Sequence, residues 1–266
     1  MDRVPAGSDR PLFSVITVCR NAERALKVTI ESVLSQDAFA GAVEHIVIDG
    51  ASTDGTLNVL ASYPHLHVIS ERDEGIYDAM NKGVTLAKGM YVGILNADDW
   101  YEPDALRTVA ATFQESPECS LVHGDIRRWN GDVPVDVVRP PLEGGHWTSV
   151  LMPVNHPASF VRRDLFDRFG GFDTSYRIFA DFDWVKRIIA GGARLRYCPK
   201  VLTNFRFGGV STMRFAVAER YRVYRSSGVD PLSTSVAIAY SCVSVLRNRF
   251  RSSHADDLAG KRRAGA

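Results

Sequence analysis

Met90-Tyr91-Val92-Gly93-Ile94-Leu95-Asn96-Ala97-Asp98-Asp99 decides the reading of this chain. It opens as an apolar run with the length and β-rich composition of a buried strand. Adjacent carboxylates then stand where that strand ends. Burying ionised groups is costly unless they are paired or bind a metal, so packing gives no reason for them. Hard oxygen ligands of this kind suit Mg²⁺ or Mn²⁺, ions that also hold substrate phosphates. The plainer alternative is a turn with an N-cap, because Asp-Asp ahead of Pro103 and a helix is ordinary loop chemistry. The stretch alone leaves both readings open.

Upstream of it, residues 13–18 read as a buried strand. The helix that follows carries Ala22, Ala25, Leu26, Val33 and Leu34 on one stripe, and Asn21 can cap it. Residues 45–48 read as a second strand, closed by the turn-rich segment Asp49-Gly50-Ala51-Ser52-Thr53-Asp54-Gly55. A short helix over 56–62 and a third strand over 67–70 come next. Residues 75–88 form an amphipathic pattern with Ile76, Ala79, Met80, Gly83, Val84 and Ala87 inward and Gly89 as the C-cap. A helix from Pro103 turns Ala105, Leu106, Val109, Ala110 and Phe113 inward. This β-α-β-α-β order predicts an α/β fold with a mostly parallel sheet and helices on both faces. Ligands in such sheets bind beyond the carboxyl ends of the strands, where segments 18–23, 49–54 and 96–99 converge.

The second half is less regular. Strands are expected over 121–126, 133–138, 194–197 and 201–207. Short helices are expected over 164–169 and 181–190, the latter with Trp184, Val185, Ile188 and Ile189 inward, and a basic helix over 213–226. Segment 144–157 reads as loop and carries His146, Trp147 and His156; segment 170–173 reads as a turn. The expected organisation is one domain over 11–227, with a donor half over about 11–115 and an acceptor half over about 116–227 that share a sheet. A C-terminal helical segment over 228–251 and a disordered tail over 252–266 complete it.

Composition removes several function classes. A formal net charge of +1 gives no global case for nucleic-acid binding. Cys19, Cys119, Cys198 and Cys242 are scattered without a C-x-x-C pair, which argues against a disulfide framework or a zinc site and fits a reducing compartment. Residues 1–10 have no apolar h-region, and no run reaches the length of a membrane span, so a cytoplasmic protein is expected. Segment 236–251 mixes apolar residues with Arg247, Arg249 and Arg251. It suits peripheral contact with an anionic membrane, at the inner face of the plasma membrane, or equally a packing helix in a homodimer.

Several motifs taken together resemble the family 2 glycosyltransferases. They are Ser14-Val15-Ile16-Thr17-Val18-Cys19-Arg20-Asn21, Ile48-Asp49-Gly50-Ala51-Ser52-Thr53-Asp54-Gly55-Thr56 and Asn96-Ala97-Asp98-Asp99. The stretch from Ser70 through Glu71-Arg72-Asp73-Glu74-Gly75-Ile76-Tyr77-Asp78-Ala79-Met80-Asn81-Lys82-Gly83 looks like a bacterial subgroup that builds exopolysaccharides, colanic-acid-like polymers and glycolipids. Phe205-Arg206-Phe207-Gly208-Gly209-Val210-Ser211 is similar to a late motif of that subgroup. The resemblance runs from about Pro11 to Ser211. It implies a GT-A fold, a nucleotide-diphosphate sugar donor, a glycan or lipid-linked acceptor and a divalent metal, Mn²⁺ or Mg²⁺.

The resemblance also implies roles. Asp49 pairs with the nucleobase, a carboxylate accepting base N–H groups; the alternative is that it only caps the 52–56 turn. Asp98 and Asp99 hold the metal that offsets charge on the leaving diphosphate. Asn96 stands where many members have Asp, and its amide suits a ribose hydroxyl. Donor contacts are expected from Thr17, Arg20, Asn21, Glu23, Ser52, Arg72, Asp73, Asp78, Asn81, Asn96, Ala97 and Asp98. The family's base is the Asp of a Glu-Asp pair at a helix start, and here Ala180-Asp181 matches it. An inverting transferase needs such a carboxylate opposite the leaving group to take the acceptor's proton. The alternative for Asp181 is a favourable charge at a helix N-terminus, with Asp183 as the other candidate base. His156 matches a subgroup histidine that touches acceptor or phosphate; a lone histidine is equally a structural one. Two rival functions remain beside sugar transfer. One is a nucleotidyltransferase making nucleotide sugars, which usually carries a Gly-rich N-terminal loop that residues 15–23 lack. The other is a catalytically inactive nucleotide-sugar-binding module.

Overall fold

In the computed structural model, the buried run Phe13–Cys19 forms β1, and the sheet is built around it. The structure describes residues 10–36, 43–141, 152–206, 213–226, 228–236 and 238–239. β1 is apolar on both faces because helices cover both, as in a parallel strand of an α/β sheet. Helix α1 (Leu26–Leu34) precedes β2 (Val43–Asp49), α2 (Thr56–Ala61) precedes β3 (His67–Ser70), and α3 (Ile76–Leu86) precedes β4 (Tyr91–Ile94). These four strands pair in parallel in the order β3-β2-β1-β4.

Next come a short β5 (Trp100–Tyr101), α4 (Ala105–Glu115), and the hairpin of β6 (Leu121–Asn130) and β7 (Val133–Val138). They are followed by β8 (Ser159–Arg162), α5 (Asp164–Phe169), α6 (Ala180–Ala190), β9 (Leu195–Arg206) and α7 (Met213–Ser226). β8 lies between β4 and β6, antiparallel to both. β9 runs parallel to β6 and antiparallel to β5. One sheet therefore crosses both halves, as expected, in the order β3-β2-β1-β4-β8-β6-β9-β5 with β7 on β6.

On one side Ile16, Met80, Phe172, Trp184, Val185 and Ile188 join α3 to α6. Another apolar group packs Val33, Leu106, Val109, Phe113 and Phe160. Each such side chain contributes about 1.5–3 kcal/mol by leaving water.

Several local readings change. Asn21 does not cap α1. It sits at φ 52°, ahead of a turn in which the Ala22 carbonyl takes the N–H groups of Ala25 and Leu26, so the helix starts at Leu26. In α3, Tyr77 is buried and Ile76 is 45% exposed, because the helix begins one residue later, after Gly75 at φ 136°. Gly89 is not the cap of α3, which ends at Ala87 in extended conformation. A Cβ on Gly89 would stand 2.5 Å from the Ser14 nitrogen, so the glycine serves a close approach to β1. Leu34 and Ile189 are exposed and add nothing to the core. The two strands expected over 194–207 form one continuous β9. Its register against β6 shifts around Pro199, where a bulge accommodates the missing N–H. Strands β5 and β8 are new to the reading; two and four residues are too short to show a period. His146, Trp147, residues 207–211 of the late motif, nearly all of segment 236–251 and the tail lie outside the described residues.

Candidate active site

The carboxyl edge of the parallel strands carries the loops singled out in the sequence, and most of their polar groups face one another. Asp49, at the end of β2, is fully buried. Its Oδ2 accepts from the Ser52 N–H at 3.0 Å and from the Ser70 hydroxyl at 2.6 Å, and its Oδ1 accepts from the Ser52 hydroxyl. The carboxylate thus organises its own loop, as the turn-capping alternative describes; contact with a nucleobase stays a proposal. Ser52 in turn accepts from the Asn21 N–H at 2.7 Å, and Asn21 Oδ1 accepts from the Thr53 N–H at 2.8 Å. Glu23 takes the Gly55 N–H at 3.2 Å. Thr17 is fully buried and bonds to His45 Nε2 at 2.9 Å. Asn21, Glu23 and Ser52 thus tie the β1 loop to the β2 loop, and Thr17 lies beneath them.

A second cluster closes this edge. Lys82 of α3 reaches Asp73 at 2.8 Å, Glu71 at 2.8 Å and Asp78 at 3.3 Å. The hydrogen bonds it donates to Asp73 and Glu71 hold its ammonium above the ordinary lysine value. Asp78 also accepts the Glu74 N–H at 3.1 Å, a cap at the start of α3. Asp73 lies against Gly50, where a Cβ would meet its Oδ2 at 2.9 Å and Arg20 Cδ at 3.4 Å. Arg20 and Arg72 are exposed at the ends of β1 and β3, and neither guanidinium has a carboxylate partner among the described residues. Asn81 faces elsewhere. Its Nδ2 donates to the Phe172 carbonyl at 2.9 Å and its Oδ1 accepts the Phe172 N–H at 2.8 Å. The amide forms a clamp between α3 and the 170–173 turn.

Past β4, Asn96, Ala97, Asp98 and Asp99 turn the chain into β5. Asp99 is fully buried; its Oδ1 accepts the Arg206 N–H at 3.0 Å and its Oδ2 accepts Asn96 Nδ2 at 3.3 Å. Burial, followed by the charge of Asp98, pushes its carboxyl up to about 8. Asp98 is half-buried, and burial raises its carboxyl too. Its carboxylate takes no hydrogen bond from another described residue. Ala97 is buried between them. The two carboxylates expected to act alike therefore differ: Asp99 locks the turn to β9, and the Asp98 carboxylate is hydrogen-bonded by no other described residue. Among the described residues no cluster of three or more His, Cys, Asp or Glu side chains can hold a metal. A free carboxylate that stays desolvated fits Mg²⁺ or Mn²⁺ of the kind that takes one or two protein oxygens and completes its shell with phosphates and water.

Asp181 lies in the first turn of α6, 104 residues from the α3 tyrosine that reaches it: Tyr77 Oη stands 3.0 Å from Asp181 Oδ1. The same hydroxyl bonds the Ile178 carbonyl, and Asp181 Oδ1 accepts the Phe182 N–H at 2.8 Å. Burial, then the Asp181 charge, lifts the Tyr77 phenol far above its ordinary value, so it remains a donor. His156 packs edge-on to Phe172 at 6.2 Å. Burial lowers its imidazole, and the charge of Asp181 partly opposes that. Asp183 is engaged by Arg187 at 2.8 Å, whose guanidinium also holds the Phe169 and Gly171 carbonyls. It is a structural ion pair in the seam of α5 and α6. The sequence reading missed Tyr77 and Arg206 as parts of the site, because both act across more than 100 residues.

The family model of Glycosyl transferase family 2 matches residues 14–170. A PGL/p-HBAD biosynthesis glycosyltransferase of Mycobacterium bovis is 34% identical over 217 residues, spanning 76% of this chain and 79% of its own. The chondroitin synthase of Escherichia coli is 26% identical over 208 residues, 76% of this chain and 30% of that protein. Among solved structures, S. aureus TarS 1–349 in complex with UDP-GlcNAc aligns with a TM-score of 0.67 at 18% identity, covering 86% of this chain and 70% of that one. Mannosyltransferase PcManGT from Pyrobaculum calidifontis, in complex with GDP-Man and Mn²⁺, aligns with a TM-score of 0.58 at 22% identity, covering 80% and 61%. The fold is the GT-A fold of these enzymes, and sugar transfer is the activity class of the relatives.

Proposed function

The chain belongs to glycosyl transferase family 2, and from that premise we propose an inverting, metal-dependent transferase. It moves a sugar from a nucleotide-diphosphate sugar to a hydroxyl of a glycan or glycolipid. The observation that carries this reading is the contact of Tyr77 with Asp181. Tyr77 stands in the first turn of α3, on the carboxyl edge of the parallel strands where the Asp98 turn also emerges. One carboxylate of the second half is thus tied to the edge where the nucleotide would lie.

The roles divide as follows. Arg20 and Arg72, exposed and without carboxylate partners among the described residues, bind the diphosphate, since guanidinium groups match phosphate geometry. Asp98 would hold the divalent ion, which supplies Lewis-acid stabilisation of the departing diphosphate. Asp73, fixed by its ion pair with Lys82, faces the nucleoside beside Gly50. Asp181 accepts the proton of the attacking hydroxyl. The acceptor oxygen forms the new bond to the anomeric carbon as the bond to the diphosphate oxygen breaks, and the nucleoside diphosphate leaves with that electron pair. Attack opposite the leaving group inverts the anomeric centre. Support for the donor class and the ion comes from the ligands of TarS and PcManGT, which are UDP-GlcNAc, GDP-Man and Mn²⁺.

The test is a panel of UDP- and GDP-sugars incubated with Mn²⁺ and candidate glycan or glycolipid acceptors. Release of nucleoside diphosphate with inversion at the new linkage is expected, and EDTA should stop it. Retention of configuration, or full activity after exhaustive chelation, would overturn the proposal.

A further inference from the structure

Helix α7 lies past the region matched by the family model, which ends at residue 170, yet it reaches the start of α6. Helix starts leave N–H groups without intrahelical partners. Phe179, the N-cap of α6, offers no side-chain hydrogen bond. A carboxylate from α7 takes the N–H of that N-cap residue and of the two residues before it. Glu219 Oε1 accepts the Arg177 N–H at 2.7 Å, and its Oε2 accepts the N–H groups of Ile178 at 2.9 Å and Phe179 at 3.2 Å. Charge-assisted bonds of this kind are about twice as strong as neutral ones.

The peptide so gripped is the one that sets the base. Tyr77 shares its single hydroxyl hydrogen between the Ile178 carbonyl and Asp181 Oδ1. The position of Ile178 therefore governs where the phenol sits against Asp181. Helix α7 is itself fixed. Val223 and Tyr224 are buried, and Tyr224 meets Phe182 of α6 edge-on at 5.8 Å. Arg222 lies over the Tyr176 ring at 3.6 Å and donates to the Ser175 hydroxyl at 2.6 Å, and Arg220 lies over Phe179 at 4.8 Å.

We propose that Glu219 is the positioning residue of the base: by gripping the backbone of 177–179 it holds Ile178 and Tyr77 where they orient the Asp181 carboxylate. This rests on the reading of Asp181 as the base. A reacting group displaced by about 1 Å can cost on the order of 100-fold in rate.

The experiment is a double-mutant cycle on the full chain with the nucleotide sugar selected by the donor panel. Glu219→Gln keeps the shape but turns one acceptor oxygen into an amide nitrogen facing backbone donors. It should lower kcat by about 10- to 100-fold, while the Kd for UDP or GDP with Mn²⁺ stays within about twofold. In an Asp181→Asn background the same change should cost nothing further, because there is no base left to orient. Arg225→Ala, on the same helix but bonded to the Val229 carbonyl, should keep wild-type kcat. Should Glu219→Gln fail to fold, Glu219→Asp, shorter by one methylene, gives the same readout. An equal loss in both backgrounds, or a parallel loss of thermal stability and nucleotide affinity with kcat unchanged, overturns the inference. A slow Asp181→Asn enzyme beside an unaffected Glu219→Gln enzyme sinks the inference alone. A fully active Asp181→Asn enzyme sinks the base reading and the inference together.

Discussion

The two halves of the molecule hold their carboxylates in opposite ways. In the donor half, Asp49 is saturated by groups from its own and the adjoining strand loop, and Asn21, Ser52 and Glu23 complete a network spanning about 30 residues of sequence. In the acceptor half, Asp181 is placed by Tyr77 from 104 residues away, and the backbone just ahead of it by Glu219 from about 40. The donor edge is thus assembled by neighbouring β-α units. The acceptor side is assembled only when α3, α6 and α7 have all docked. Local loops suit the nucleotide binding proposed for this edge; the proposed base, held by distant parts, can be moved without disturbing that binding.

The strongest way to break this comparison is inside the donor half, where one carboxylate is free and one is filled. Asp98→Ala should lower kcat by about 1,000-fold or more, since a Lewis acid supplies several kcal/mol to the transition state. Its melting temperature should hold or rise, because an unpaired, half-buried carboxylate is removed. Asp49→Ala should do the reverse. It removes the buried acceptor that holds Ser52 and Ser70 and should cost about 1–3 kcal/mol of stability, with nucleotide affinity per folded molecule kept. Denaturant unfolding and UDP or GDP titration separate the two. Intact stability with lost nucleotide affinity in Asp49→Ala would restore that residue as the reader of the base.

The same contrast explains what the sequence could tell. Strand, loop and helix alternate in the donor half at spacings set by local periodicity, so β1 to β4 and their helices are legible there. The Asp98-Asp99 pair is legible as a site, but its division of labour is not. Asp99 turns inward because Arg206, 107 residues on, offers it a backbone N–H. Asn81 and Asp49 read as ligand contacts from the family resemblance; only the structure reveals that the Phe172 backbone and the Ser70 hydroxyl also engage them. Strand β8 has four residues, and its place between β4 and β6 depends on pairing, not on pattern.

The acceptor half supplies the second test, on two acidic residues in one helical turn. Asp181→Asn preserves shape but cannot take a proton, and kcat should fall by about 100- to 10,000-fold with nucleotide affinity unchanged. Asp183→Asn weakens the pair with Arg187, which in turn holds the Phe169 and Gly171 carbonyls. It should cost about 1–3 kcal/mol of stability and little activity per folded molecule. Were Asp183→Asn the lethal change and Asp181→Asn nearly silent, the base would lie two residues along, and the Tyr77 contact would have no catalytic meaning.

The smallest effect belongs to the floor of the donor half, where His45 is buried against Thr17. Burial, with a smaller contribution from the charge of His65, pushes its imidazole down to about 3. The unfolded chain returns it to about 6.5. Between those values the unfolded state binds the extra proton, so stability is fully present above about pH 6.5 and is lost as the pH falls through the window. One such group gives a slope of at most about 1.4 kcal/mol per pH unit. His45→Gln keeps a side-chain hydrogen bond to Thr17 but does not titrate. Urea unfolding from pH 7 to pH 4.5 should therefore show a shallower fall for the variant, by about 1 kcal/mol per unit below pH 6. Identical slopes in variant and wild type would mean that His45 reaches water in the native state. The donor half would then be less rigidly sealed beneath its loops than the filled carboxylate of Asp49 requires.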